Sequence, residues 1–156
     1  MALKIDTDLE RMGDLASNIA KRVRDLGQQP HAVDPSGLTI LAEKVRIMVD
    51  DSLDAFVESD TAKARKVLDC DDEVDGINRD LIDKLMEKMK AEPGTISRDQ
   101  GLISISKYLE RIADHATNIS EMVIFATEGR DVRHGFAAIA QARRQQETPG
   151  EDPHAP

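Results

Sequence analysis

The sequence predicts an all-α fold: an antiparallel three-helix bundle with one extra amphipathic helix ahead of it. Three observations carry that expectation. Apolar residues recur at alternating steps of three and four along each long segment, the pattern that buries one stripe of a helix and that a strand with its period of two cannot bury. Short stretches of helix-stopping and helix-starting chemistry separate those segments. Composition agrees, with 40% hydrophobic residues, only 3% aromatic, no Trp, and 33% charged. Such a core is built from Leu, Ile, Val, Met and Ala packed between helices.

The first helix is expected from Ile5 to Leu26, with Ile5, Leu9, Met12, Ala16, Ile19, Val23 and Leu26 as its seam. Gly27 suits a left-handed C-terminal cap. After a connection through Val33, Asp34-Pro35 combines an N-cap with a proline at the first helical position, where its missing N–H is harmless. The second helix then runs from Ser36 to about Ser59, with Leu38, Leu41, Val45, Met48 and Ala55 inward. Ser59-Asp60-Thr61 offers the next cap. A third helix reaches about Ala91 on the stripe Val67, Cys70, Val74, Ile77, Leu81, Leu85 and Met89, and Glu92-Pro93-Gly94 stops it. Ser97 to Gln100 matches a capping box. The helix it opens carries Leu102, Ile105, Leu109, Ile112, Ala116, Ile119, Val123 and Ala126 inward and closes at Gly129. Residues 136–156 hold little to bury beyond a short FAAIA run and are expected to form a disordered tail.

A seven-position seam on the first helix needs cover, and a complete three-helix bundle offers no vacancy. It can pack outside its own bundle, pair with the same helix of a second copy, or await partners from an upstream segment. Pairing in a homodimer is the favoured expectation.

The formal net charge of -9 argues against nucleic acid as partner, since such binders need a clustered basic face. No run approaches the roughly 18 apolar residues that span a bilayer, so direct membrane insertion is not expected, nor is a signal peptide visible. Cys70 is the only cysteine, which fits a reducing cytoplasm and cannot alone make a thiolate metal site.

The chain also repeats itself. At an offset of one hundred residues, Leu9, Glu10, Arg11, Asp14, Ala16, Asn18, Ile19 and Val23 meet Leu109, Glu110, Arg111, Asp114, Ala116, Asn118, Ile119 and Val123 with identical types. Glu110, Asp114 and Asn118 lie one above another on the face turned from the seam, as do Glu10, Asp14 and Asn18. Carboxylates spaced i,i+4 repel by about 0.2–0.5 kcal/mol in an isolated helix, so helix stability does not explain them. Asp71 and Asp75 make a third such pair.

Helices of one bundle lie about 8–10 Å apart, so Asp71/Asp75 and Glu110/Asp114 can face each other across a surface groove. Four carboxylates make an oxygen-only set suited to magnesium, calcium, manganese or iron. Asn118, and Asn18 in the first copy, supply a neutral oxygen for the second shell. A lone E-x-x-x-D is commonly just a solvated face, with Arg11 or Arg111 beside it; duplication in near-identical surroundings favours a site. Glu10/Asp14 ranks below the others because it lacks a facing helix. His115 falls on the bundle flank, and no E-x-x-H, nucleophile elbow, Gly-rich phosphate loop or H-E-x-x-H occurs.

The twice-written LER-x-x-D-x-A-x-N-I, together with DDEVD at 71–75 and EGRDVRH at 128–134, resembles the PhoU family of phosphate-uptake regulators over residues 5 to about 134. The resemblance implies two tandem three-helix bundles, each ending in the motif helix. On that pattern residues 1–33 are the last helix of an incomplete first repeat and residues 34–135 one PhoU repeat. It further implies metal binding through the E/D-x-x-x-D pairs, with iron, manganese, magnesium or zinc as the candidate ions. The implied role is a non-enzymatic cytoplasmic adaptor that couples the phosphate ABC transporter ATPase to a sensor histidine kinase, restraining the phosphate-starvation response. Ala113, where the first copy has Gly13, departs from the glycine common in the motif. A metal-dependent phosphoester hydrolase, or a structural PhoU-like fragment of a larger transporter, are the alternative expectations.

Overall fold

The computed structural model describes residues 2–28 and 36–129. The expected Asp34-Pro35 start and the expected tail lie outside the described residues. Four long helices follow in order: α1 (Ala2–Leu26), α2 (Ser36–Glu58), α3 (Thr61–Ala91) and α4 (Ile96–Glu128), the last preceded by a 3-10 turn over Pro93–Thr95. No strand occurs among the described residues.

The junctions show how the sequence cuts one helix from the next. Glu58 ends α2 because Ser59 turns into the left-handed region at φ 54, which lets the Ser59 and Asp60 amides donate to the Phe56 and Ala55 carbonyls in the Schellman pattern. Asp60 then caps α3, its side chain accepting from the Ala62 and Lys63 amides. Gly129 closes α4 at φ 65. Two expectations need correction. Gly27 follows α1 as expected, yet it is not among the residues with positive φ; its amide simply continues the helical pattern to Val23. The Ser97–Gln100 capping box is also not used, because the 3-10 turn carries the chain into α4 one residue earlier. Thr95 instead hydrogen-bonds the Asp99 carboxylate at 2.6 Å.

α4 is the axis of the molecule and packs against α1, α2 and α3. Most of the expected inward stripes bury: Leu41, Val45, Met48 and Ala55 from α2, Val67, Val74 and Leu85 from α3, and Leu102, Ile105, Leu109, Ile112, Ala116, Ile119 and Val123 from α4, while Leu38, Cys70, Ile77, Leu81 and Met89 are half-buried. Ala126 is exposed. Each fully buried Leu, Ile or Met side chain contributes about 1.5–3 kcal/mol of transfer free energy, which this interior supplies without tryptophan.

The placement of α1 corrects the expectation that its seam lacks a partner in its own chain. Ile5, Met12, Leu15 and Leu26 are buried in the same core as the bundle. α4 accommodates them because it carries two adjacent stripes. Leu102, Leu109, Ala116 and Val123 lie on one, while Gly101, Ile105, Tyr108, Ile112, His115, Ile119 and Met122 step by four and three along the other. Gly101 makes room for Leu26, whose Cδ2 stands 2.9 Å from where a Cβ would be. The His115 Nδ1 lies 2.7 Å from Asp8 Oδ1. These two contacts, 26 with 101 and 8 with 115, run α1 antiparallel to α4. Only one side of the first-copy stripe is thereby covered. Leu9 and Val23 remain 40% and 55% exposed, whereas their repeat-mates Leu109 and Val123 are buried beneath α2 and α3.

Candidate functional site

α3 and α4 are antiparallel neighbours, and their facing polar positions fall into rungs. On α3, steps of four, three and four from Asp71 reach Asp75, Asn78 and Ile82. On α4, the same steps taken backwards from Asp114 reach Glu110, Lys107 and Ile103. Pairing these series places Asp71 by Asp114, Asp75 by Glu110, and Asn78 by Lys107. A cleft of about 140 Å³ lined by Asp75, Asn78, Ile82, Lys107 and Glu110 confirms the register.

The charges respond to that proximity. Burial raises the Asp71 carboxyl from its ordinary 3.8 to about 6, aided by the negative charges of Asp75, Asp114, Asp72 and Glu110. Asp75 is raised by burial and then by Glu110, against the pull of Arg79 and Lys107. Asp114 is raised by burial, Glu110 and Asp75, with His115 and Arg111 opposing. Burial and like charge act in the same direction on all three. Lys107 partly balances the ridge, its ammonium 2.8 Å from Glu110 Oε2. Between α2 and α3, Lys44 pairs with Glu73 at 2.7 Å.

The structure therefore brings together Asp71, Asp75, Glu110 and Asp114, the four residues expected to face one another. It does not add Glu10 and Asp14, which stand exposed on α1; no hydrogen bond or ion pair among the described residues ties them to the α3–α4 group. Asn118 is exposed and Asn18 half-buried. Asn118 lies one turn past the Asp71–Asp114 rung. His115 pairs with Asp8 across the α1–α4 contact, which keeps it a flank residue.

For a metal the donor chemistry fits: carboxylate oxygens whose mutual repulsion a divalent cation would relieve. No group of three or more His, Cys, Asp or Glu converges as a ready-made cage among the described residues. The geometry is that of paired rungs, which suits an ion that keeps much of its water. Sequence reading missed Asn78 and Lys107, although both follow the step of three from residues it did name. It also missed the buried Arg98–Asp99 pair at the start of α4, with Nε 2.9 Å from Oδ1; that pair anchors the helix N-terminus rather than the ridge.

The comparisons with known proteins decide the family. The model of the PhoU domain matches residues 38–123, which is α2 through most of α4. The chain belongs to the PhoU family. Over 131 residues it is 44% identical to the phosphate-specific transport system accessory protein PhoU homolog of Zymomonas mobilis, covering 84% of this chain and 55% of that protein. The Aquifex aeolicus PhoU homolog is 40% identical over 131 residues, covering 84% of this chain and 59% of the other. The crystal structure of PhoU from Pseudomonas aeruginosa superposes with a TM-score of 0.79 at 35% identity, over 81% of this chain and 61% of that one. The PhoU regulatory protein of Streptococcus pneumoniae gives a TM-score of 0.73 at 29% identity, over 81% and 59%. This chain thus spans a little over half the length of those PhoU relatives. No described helix is long and apolar enough to cross a membrane.

Proposed function

We propose that this PhoU chain is a cytoplasmic, metal-binding regulatory adaptor of phosphate uptake. The accessory role of its relatives in phosphate-specific transport supports the process. The single observation that carries the mechanism is the α3–α4 ridge, where burial and the neighbouring negative charges, Glu110 among them, raise the carboxyls of Asp71, Asp75 and Asp114. A divalent or iron cation, with iron, manganese, magnesium and zinc as the candidates, would neutralise that repulsion and tie the two helices together. When bound it supplies positive charge to an acidic outer face; the residues themselves hold it, and Arg79, Lys107 and Arg111 set how much charge is left to bind. In this reading the metal-loaded face is what meets the phosphate ABC transporter ATPase and a sensor histidine kinase, and the outcome is restraint of the phosphate-starvation response rather than catalysis.

In this proposal α1 plays the part of the closing helix of a PhoU repeat, and its exposed Leu9, Ala16 and Val23 face is where a second copy joins in a homodimer. The test is a phosphate-starvation reporter in a host lacking its own PhoU, read alongside co-purification with the transporter ATPase. Wild type is expected to repress the reporter and to retain the ATPase, and Glu110→Ala with Asp114→Ala to do neither while keeping full helix content. A variant that represses like wild type would refute the role given to the ridge.

A further inference from the structure

A second cavity lies away from the ridge, at the end of the bundle where α2 and α4 begin and the last turns of α3 pass between them. It encloses about 370 Å³, within the ~300–1,000 Å³ range of small-molecule sites. Its walls are mainly aliphatic, with Ile40 from α2 and Ile77, Leu81 and Leu85 from α3. Ile40 stands at the edge, 56% exposed. The polar lining is unevenly charged. Arg98 is buried and directs its Nε to Asp99 Oδ1 at 2.9 Å. Lys84 and Lys88 also line the cavity and are exposed on α3, four residues apart, where like charges repel. Neither ammonium enters an ion pair or hydrogen bond among the described residues. Asp80 completes the charged lining, which therefore holds a surplus of one positive charge in a chain whose formal net charge is -9.

We propose that this cavity binds a small aliphatic carboxylate, its chain laid along Ile40, Ile77, Leu81 and Leu85 and its charged head at the rim between Lys84 and Lys88. The lining separates the two halves of such a ligand as their chemistry requires. The chain leaves water for an aliphatic wall, a gain of roughly fourfold in affinity for each methylene fully buried. The carboxylate stays at the exposed rim, which avoids the cost of burying an ion, and its charge relieves the repulsion between the two ammoniums. A neutral chain obtains only the first of these effects, and a short anion only the second. Because the walls come from α2 and α3 with Leu102 of α4 behind them, a bound carboxylate ties the three helices together at this end and stabilises the fold by mass action. The cavity shares no lining residue with the α3–α4 cleft, so the proposal goes beyond the metal-binding reading and does not depend on it.

The test is calorimetric titration of the full chain with octanoate, in chelator and below the concentration at which the probe forms micelles, with butanoate and octanol as companions. Wild type is expected to bind octanoate saturably with a raised melting temperature, and to bind butanoate and octanol more weakly by roughly tenfold or more. Lys84→Gln with Lys88→Gln, two exposed positions that the fold tolerates, is expected to weaken octanoate about tenfold and to remove most of its salt dependence. Ile40→Asp, also at an exposed position, should weaken it too, since it takes away an apolar wall and sets a like charge near the head. Glu110→Ala with Asp114→Ala should leave octanoate affinity unchanged; its loss there would assign the binding to the ridge and overturn the site. Octanol bound as tightly as octanoate, or full affinity in Lys84→Gln with Lys88→Gln, would reduce the cavity to an apolar crevice. Butanoate bound as tightly as octanoate would deny the aliphatic wall its part, and no saturable octanoate binding by wild type overturns the proposal outright.

Discussion

Replacing Asp71 with asparagine should stabilise the metal-free protein at neutral pH, an unusual sign for a substitution at a half-buried polar site. The folded state holds the Asp71 carboxyl near 6, against an ordinary value of 3.8, because burial and four neighbouring carboxylates disfavour its anion. Below the ordinary value both folded and unfolded chains carry neutral Asp71, and nothing is lost. As pH rises through about 6 the folded state must carry the anion, so its stability falls across that window. A shift of about two units corresponds to ~3 kcal/mol at ~1.4 kcal/mol per unit, which partial exposure reduces to about 1–2 kcal/mol. Urea unfolding in chelator, run from pH 4 to pH 8, should therefore show Asp71→Asn more stable than wild type by about 1–2 kcal/mol at the alkaline end. The difference should shrink toward zero at the acid end. Saturating divalent cation should reverse the ranking, since ion at about a hundred times its Kd adds ~2.7 kcal/mol to a protein that binds it only when folded. A destabilised Asp71→Asn at pH 8, or a gain that does not vary with pH, would refute the claim that the ridge is held together against its own charge.

The core makes a simpler prediction: Met48→Ala and Ile119→Ala, both at sites with essentially no exposure, should each lose about 2–5 kcal/mol in chemical denaturation. Asp99→Asn removes the negative charge that pairs with the buried Arg98 guanidinium and should destabilise the protein by the same measurement. Burial alone would raise the Asp99 carboxyl, but hydrogen bonds from Arg98 and Thr95 outweigh it and hold it below 3.8. That contribution should accordingly be present above 3.8 and be lost as pH falls through the depressed value. Finally, Leu9→Glu with Val23→Glu should convert a dimer to a monomer in sedimentation at micromolar concentration without lowering helix content.

The four helices and most of their inward residues were legible because each boundary is local chemistry. Asp60 caps α3 within three residues, and Gly129 turns out of α4 by itself. Ser59 was not readable as a left-handed residue, since serine has no steric licence for φ above zero and adopts it here because the Schellman bonds to Ala55 and Phe56 reward it. The capping box at Ser97–Gln100 failed for a related reason, the Pro93–Thr95 turn having already begun the helix geometry. α1 was misjudged because heptad counting marks a stripe but not its width. Gly101, Tyr108, His115 and Met122 of α4 form a second stripe that resembles an ordinary flank until a helix is laid on it.

At the site, the carboxylate pairs were visible from their spacing, and the repeat singled two of them out. Which α3 residue meets which α4 residue was not visible, because that register is fixed by side-chain packing across the bundle and not by either helix. Without the register, Asn78 looks like any helix-surface asparagine, and Lys107 like a balancing charge on its own helix. With it, both belong to the ridge. The first-copy pair Glu10/Asp14 shows the converse: near-identical local sequence, but among the described residues both stand exposed on α1, which packs against α4, and no hydrogen bond or ion pair joins them to the ridge.

Metal content after equilibrium dialysis against manganese tests the central claim most directly, with wild type compared with Glu110→Ala/Asp114→Ala at matched helix content. Cation retained by wild type and absent from the variant is the predicted result. Equal loading of the two proteins, or none in either, would contradict the assignment of the α3–α4 ridge as a metal centre.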